Sequence, residues 1–359
     1  MATRMKDIAK ALDLSIVTVS KVLNKNDANI SEATRRRVLE CAKKLDYRTN
    51  MAAKGLVTGQ SKMIGLIVPE LFHGFFGEVA AGMSDALAEQ GYGLIIASSR
   101  DNEKLESKEI KQMLARSVDA LVVASCSTEA SGLQSANREA PVVLVDRRVG
   151  HRGDFWLVGA DDLQVGELAT QHLIDIGRRR IAFIGAASFS PTNDRQTGYL
   201  AILARAGLKP PAKGMVRLPQ NEESNHVLGA QFMRQLLKLK PRPDAVFCYN
   251  DTTAWGAALA ILEAGLRVPE DIAVVGCGNS VHNDFFRVPL TSVDLSSAHM
   301  GQEAANLGLR AIRERTQKAP HTPIAVLLRP TLVVRESTVP EARPKNHPRS
   351  DNKTVALRG

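Results

Sequence analysis

Six side chains between positions 16 and 24, Ile16, Val17, Thr18, Ser20, Lys21 and Asn24, are short or basic and fall away from Val19, Val22 and Leu23 if the segment is helical. Such a face can approach another surface closely, which is the chemistry of recognition and not of bond-making. Upstream, Ile8, Ala9 and Leu12 recur at helical spacing, so a first helix is expected from about Lys6 to Leu12. Asp13 falls where the chain must turn sharply and tolerates a left-handed backbone better than most residues. Ser15 is a good N-cap for the second helix. Two helices joined by a tight turn match a helix-turn-helix, whose second helix enters the DNA major groove. An ordinary helical hairpin with a solvated face is the alternative. Ser31 and Glu32 then open a third helix whose apolar stripe is Val38, Leu39, Ala42 and Leu45. Three short helices would close a unit of roughly 45 residues, near the lower limit for an independent core.

Charge favours the first alternative. The chain has 359 residues and a net charge of +9. Residues 1–62 hold 13 Lys/Arg against 6 Asp/Glu, and residues 340–359 hold 5 against 2, while the rest carries 29 basic and 30 acidic residues. A basic head on a near-neutral body suits phosphate binding by the head and a different ligand for the body. A membrane surface would also attract the head, but no basic helix there shows large exposed apolar residues. No apolar run reaches membrane-spanning length and MATRMKDIAK lacks a signal-peptide core, so a soluble, cytoplasmic protein is expected. The cysteines Cys41, Cys126, Cys248 and Cys277 lie far apart, without metal-ligand spacing, and read as buried thiols.

Between Leu45 and Ser61, Met51–Leu56 can form one or two helical turns that Gly55 and Gly59 keep marginal, which suits a switch segment. The motifs DIAKAL, TVSKVLN (Thr18–Asn24), LDYRTN (Leu45–Asn50) and AAKGL (Ala52–Leu56) together resemble the headpiece and hinge of the LacI/GalR, or lactose-repressor, family of bacterial transcription regulators. The resemblance continues to about residue 336. It implies that Ile16, Val17 and Lys21 read base edges, that Ser15, Thr18, Ser20, Asn24 and Ser31 hold phosphates, and that Leu56 wedges into the minor groove with Lys54 beside it. These types suit those roles: Ile16 and Val17 can pack on thymine methyls, and Lys21 can reach guanine O6 and N7. For Leu56 and Lys54 the alternatives are a packed linker leucine and a solvated lysine.

From Met63 the pattern alternates β-rich runs (MIGLIVPE, GLIIASS, DALVVAS, PVVLVD, RIAFIGA, MVRLP, DAVFCYND, DIAVVGCGN) with helical stretches such as Phe76–Gln90 and Lys104–Arg116. That means parallel sheets covered by helices, in two sets of about five strands. The expected fold is therefore an all-α helix-turn-helix headpiece (1–48) and a hinge helix (49–62), then an α/β core of two Rossmann-like lobes. The resemblance implies that this core is periplasmic-binding-protein-like, with crossovers near Gly159–Asp162, Pro289–Asp294 and Pro323–Val326. Lobe 1 would be 63–160 plus 293–322, lobe 2 161–292 plus 323–336, and 337–359 a disordered tail without a leucine heptad, hence a homodimer.

Ligands of open α/β sheets bind beyond the carboxyl ends of strands. Those loops hold Phe72, His73, Phe75 and Phe76, then Ser125, Asp146, Arg147, Arg195, Asn250, Asp251, Gly278 and Asn279. The resemblance assigns Phe75 to the pocket, leaves Phe76 to the core, and matches Arg195 and Asn250 to ligand contacts; each charged residue alone could equally form a surface salt bridge. Two departures stand out. Cys277 and Gly278 replace the family's aromatic residue and Asp, and Glu223 or Ser224 stands where relatives place a stacking aromatic. Losing a carboxylate while keeping Arg147 and Arg195 tilts the cleft positive, so an anionic effector such as a sugar acid is expected, gripped by Arg195.

The function implied is a regulator, most simply a repressor, whose affinity for a double-stranded DNA operator is set allosterically by a sugar or sugar acid between the lobes. It needs no cofactor, metal or membrane. An enzyme is opposed by the lack of G-x-G-x-x-G after a strand, G-x-x-x-x-G-K-[ST] and G-x-S-x-G. A transport binding protein is opposed by the basic head and the missing leader.

Overall fold

The computed structural model describes residues 3–24, 29–47, 55, 59–70, 74–151, 153–186, 189–217, 225–317 and 323–339. Two compact units divide after Ser61.

The first unit holds α1 (Met5–Leu12), α2 (Ile16–Leu23) and α3 (Glu32–Lys44). Asp13 ends α1 in the left-handed conformation, at φ 52°, and lets the chain reverse within a few residues. Ser15 then caps α2, its Oγ accepting from Thr18 N at 3.0 Å, and Ser31 caps α3 in the same way through Thr34 N at 3.3 Å. Ile8, Val19 and Val38, one from each helix, are fully buried and meet with Ala9, Val22 and Ala42. The expected stripe on α3 is too wide. Val38 and Ala42, one turn apart, face inward, whereas Leu39 is 46% and Leu45 36% exposed.

The second unit contains two six-stranded sheets. In chain order its elements are β1 (Met63–Val68), α4 (Gly74–Glu89), β2 (Gly93–Ser98), α5 (Glu103–Ala115), β3 (Ala120–Val123), α6 (Ser131–Glu139), β4 (Val142–Val145) and β5 (Trp156–Ala160). Then come α7 (Asp162–Asp175), β6 (Ile181–Gly185), α8 (Ser190–Arg205), β7 (Met215–Arg217), α9 (Asn225–Leu236), β8 (Ala245–Cys248), α10 (Asp251–Glu263) and β9 (Ala273–Cys277). A 3-10 turn (Val281–Asp284), β10 (Thr291–Asp294), α11 (Ser297–Thr316), β11 (Ala325–Leu328) and β12 (Thr331–Val333) follow among the described residues. The first sheet runs β11-β5-β4-β3-β1-β2 and is parallel throughout. The second runs β12-β10-β9-β8-β6-β7, parallel except where β12 meets β10. Strands buried on both faces explain the unbroken apolar runs in the sequence.

Each sheet has one strand more than the sequence pattern suggested, and two lobe boundaries move. β10 belongs wholly to the second sheet, where it pairs with β9 and β12, so a boundary at 292/293, which gives Val293 and Asp294 to lobe 1, cuts the strand in half. β11 belongs to the first sheet, not to lobe 2, because it pairs with β5. The crossovers are therefore at 160–162, 294–297 and 328–331. Short apolar strands do not announce their partners in sequence; only pairing decides. The C-terminal limit moves as well. Ser337 and Thr338, expected in a disordered tail, are buried, and Ser337 Oγ donates to Val274 O at 2.6 Å.

One close approach sets the place of Arg195. On α7 and α8, a Cβ added at Gly166 would collide with Arg195 O, and one at Gly198 with Leu163 O. The two backbones touch because neither position carries a side chain. That contact brings the start of α7 beside Arg195.

Candidate functional site

Two surfaces answer to the residues singled out in the sequence. On the headpiece, Ile16 and Val17 are 52% and 63% exposed, and Ser15, Lys21, Asn24 and Ser31 are also exposed. Thr18 and Ser20 are half-buried. Two of the polar groups have partners inside the helix: Ser15 Oγ lies 2.8 Å from Thr18 Oγ1, and Asn24 Nδ2 donates to Ser20 O at 2.9 Å. Lys54 and Leu56 lie outside the described residues, as do Phe72, His73, Glu223 and Ser224.

The second surface is a cleft between the two lobes, with about 630 Å³ of empty space when the solvent at its open mouth is counted. Its walls come from the carboxyl ends of strands. The first lobe supplies Glu70 after β1, Phe75 and Phe76 at the start of α4, Asp101 after β2, and Asp146 and Arg147 after β4. The second lobe supplies Phe189, Thr192 and Arg195 around the start of α8, Asn225 from α9, Tyr249 and Asn250 after β8, and Cys277 and Gly278 at the end of β9. Of the expected contacts, Phe75, Asp146, Arg147, Arg195, Asn250 and Gly278 line this space. Ser125 and Asn279 do not. Ser125 is 1% exposed and donates to Glu106 Oε1 at 2.6 Å, tying the loop after β3 to α5. Asn279 points to Asp294, donating from Nδ2 at 3.0 Å.

Phe76, assigned to the core, is buried there and also borders the cleft, packing edge-on against Phe75 with ring centroids 4.9 Å apart. Several other wall residues were not singled out from sequence. Glu70, Asp101, Phe189 and Tyr249 each follow or precede a regular element by a few residues. The strand-end rule that found Asp146 could have found Glu70 and Asp101 as well. Phe189 had no such signal, because it precedes a helix by one position and follows no strand directly.

The charges are arranged in pairs. Arg195, 4% exposed, donates from Nε to Asp162 Oδ1 at 2.8 Å, brings Nη2 to the same oxygen at 2.7 Å, and donates from Nη1 to Tyr249 O at 2.5 Å. Of its five N–H donors, two remain to point elsewhere. Arg147 Nη1 meets Asp101 Oδ1 at 2.5 Å, and its guanidinium lies 3.9 Å from the centre of the Phe189 ring across the cleft. Burial pushes Asp162 up to about 6, against the opposing pull of Arg195. Burial also raises Asp146, with Arg195 and Arg147 pulling it back. Burial disfavours charge on both arginines, but their carboxylate neighbours hold each above the usual guanidinium value. Glu70 is raised by burial and then by the like charge of Asp101. Burial alone dominates the upward shifts of Tyr249 and Cys277.

Asn250 and Asp251 hold the second-lobe wall. Asn250 Oδ1 accepts from Thr253 N at 2.8 Å and so caps α10. Asp251, 2% exposed, accepts from Ser292 Oγ at 2.6 Å, Ser280 N at 2.8 Å and Asn283 Nδ2 at 2.9 Å. Gly278 has φ 122°, a conformation that a side chain would strain. Among the described residues no cluster of His, Cys, Asp and Glu could hold a metal ion, and no helix is long and apolar enough to cross a membrane.

A headpiece with a capped, outward-facing second helix and a two-lobed core with a strand-end cleft is a recognisable combination. Residues 4–50 match the model of the bacterial regulatory proteins of the lacI family, and residues 61–329 that of periplasmic binding proteins and the sugar binding domain of the LacI family. The chain belongs to the LacI family. It is a DNA-binding transcription regulator whose core takes a small-molecule effector. Among similar proteins, the ribose operon repressor of Escherichia coli (strain K12) is 33% identical over 330 residues, spanning 90% of this chain and 98% of that protein. A PurR repressor of Erwinia tasmaniensis is 33% identical over 342 residues, spanning 94% and 97%. The solved CelR–cellobiose complex, 28% identical, superposes with a TM-score of 0.70 over 93% of this chain and 99% of that one. The lac repressor dimer bound to operator and the anti-inducer ONPF, 24% identical, shares the fold, with a TM-score of 0.81 over 94% and 99%.

Proposed function

We propose that this protein is a cytoplasmic, homodimeric repressor without enzymatic activity, and that its effector is a neutral, polyhydroxylated ring such as a sugar. Relatives named as a ribose operon repressor and as the transcriptional repressor PurR support the first part. The second part rests on one observation: the guanidinium of Arg195 is already closed on Asp162 and the Tyr249 carbonyl. An anionic effector, expected from Arg147 and Arg195 alone, would find both arginines neutralised by carboxylates and would face Glu70 and Asp146 besides. A neutral ring meets no such repulsion. Its hydroxyls can donate to Asp146 and accept from the remaining Arg195 N–H groups, while its apolar face lies against Phe75 or Phe189.

On DNA, α2 would enter the major groove with Ile16 and Val17 against thymine methyls and Lys21 at guanine, and Ser15, Thr18, Ser20, Asn24 and Ser31 would meet phosphates. The hinge, including Lys54 and Leu56, would meet the minor groove when two copies pair. Effector binding changes the relation of the lobes and so biases that pairing, a coupling of about 1–3 kcal/mol, equal in both directions.

The test of the effector class is a thermal-shift panel that pairs each neutral sugar with the acid made by oxidising it, D-ribose with D-ribonate and D-glucose with D-gluconate. The neutral member of the active pair is expected to raise Tm at the lower concentration. An acid that raises Tm while its neutral partner does nothing would refute the class. The DNA arm is a gel shift over a salt series, where affinity should fall steeply as salt rises.

A further inference from the structure

Arg148 follows two cleft residues but does not line the cleft. Arg147 faces the effector space, Asp146 lines both that space and an adjoining crevice, and Arg148 borders only the crevice, with Ser190 and Asp194. Its backbone N–H donates to Ser190 Oγ at 2.8 Å, and its Nη2 donates to Asp194 Oδ2 at 2.5 Å. Arg148 lies on the loop after β4 of the first lobe, and Ser190 and Asp194 on α8 of the second. Being four residues apart on one helix, Ser190 and Asp194 share a face and can meet one partner together. The same helix carries Arg195, and Phe189 precedes it. Consecutive residues of one loop therefore face the effector space and tie the lobes.

We propose that Arg148, Ser190 and Asp194 form an interlobe clasp, which holds α8 against the first lobe through groups outside the cleft lining. Part of the closure energy then belongs to the protein and not to the effector. Loosening the clasp lowers the population of the closed arrangement, and effector affinity drops in proportion to that population. This consequence rests on the effector reading above. The clasp itself does not.

Hydrogen–deuterium exchange of the full chain tests it without any ligand. Arg148→Glu and Asp194→Arg each remove the ion pair and set like charges against each other; the double swap restores opposite charges. The side chains are 51% and 34% exposed, so each single variant should speed exchange in peptides spanning 145–149 and 189–196 by about five- to tenfold. The double variant should return both peptides towards wild type, and raising salt should speed exchange in wild type more than in either single variant. The buried β3 segment Ala120–Val123 should be unchanged, which reports that the fold is intact; Arg148→Gln is the milder variant if a charge reversal disturbs it. Unchanged exchange in both peptides of both single variants, or a double variant faster than either, would overturn the clasp. If the clasp behaves as expected while no sugar alters it, the effector class is at fault and not the clasp.

Discussion

On α2, Ile16 and Val17 stand 52% and 63% exposed, while in the cleft Arg195 is 4% exposed and bonded on two sides. The headpiece surface gains its contacts only from its partner. The cleft is arranged in advance, its charges already set against one another. A change on α2 should therefore alter binding and leave folding alone, since the helix is held by Val19 and Val22 on its other face. A change at the centre of the cleft should alter both, because a buried charge left without its partner destabilises the fold by itself.

The largest effect is expected from Arg195→Ala. It leaves Asp162, 6% exposed, as a buried carboxylate without its cation, and urea unfolding of the core should lose about 3–5 kcal/mol. Effector-induced stabilisation should vanish in the same variant. The pH dependence sharpens the point. Asp162 titrates near 6 in the folded protein, above its ordinary value of 3.8, because burial disfavours its charge. The folded state therefore holds this proton more tightly than the unfolded chain. The stability it contributes is full below pH 3.8 and is lost as pH rises through about 6. Stability from urea melts should fall across that window in wild type, and the fall should be shallower in Asp162→Asn. An equal slope in both proteins would mean that another group, such as Asp146 or Glu70, carries the titration.

The headpiece should respond the other way. Lys21→Ala, at an exposed position, should leave unfolding unchanged and cost about 1–3 kcal/mol of binding to the preferred operator, with selectivity relaxed at a single base pair. Thr18→Ala should instead weaken all sequences alike and leave the salt slope unchanged, because a neutral hydroxyl releases no counterion. Gel shifts on a selected operator and its single-base variants separate the two. If Lys21→Ala weakened every sequence equally, Lys21 would be a phosphate contact and not a reader.

The same contrast decides how much could be read from the chain alone. α1, the Asp13 turn, the Ser15 and Ser31 caps and the α2 core are set by neighbours three or four residues away, so local spacing exposes them. The cleft draws its wall from the ends of several strands and helices in both lobes, and each residue is placed by packing far along the chain. Residue type and strand-end position picked out Asp146 and Arg147, and the family resemblance picked out Arg195 and Asn250. They misplaced Ser125, whose partner Glu106 lies 19 residues upstream on α5, and they gave no warning of Asp162 beneath Arg195. Strand partnership was hidden for the same reason. Nothing local distinguishes the partner of β10 from that of β11, so the expected boundaries split β10 and give β11 to the wrong lobe.

The smallest effect is expected where the contrast is purest, at Ser15. Its Oγ accepts from Thr18 N at 3.0 Å, satisfying one of the amides that open α2, and it sits on the surface that would meet phosphate. Ser15→Ala removes the acceptor and should loosen α2 by about 1 kcal/mol, whereas Ser15→Asn restores a capping oxygen and should recover most of it. In the full chain this appears as faster amide exchange across Ile16–Leu23 in the Ala variant, with the sheets of the core unaffected. DNA affinity then separates two roles. If Ser15 only caps, Asn should rescue binding along with exchange. If it also holds phosphate, Asn should rescue exchange while binding stays weak, since the longer side chain displaces the acceptor and donor from the place a hydroxyl occupies.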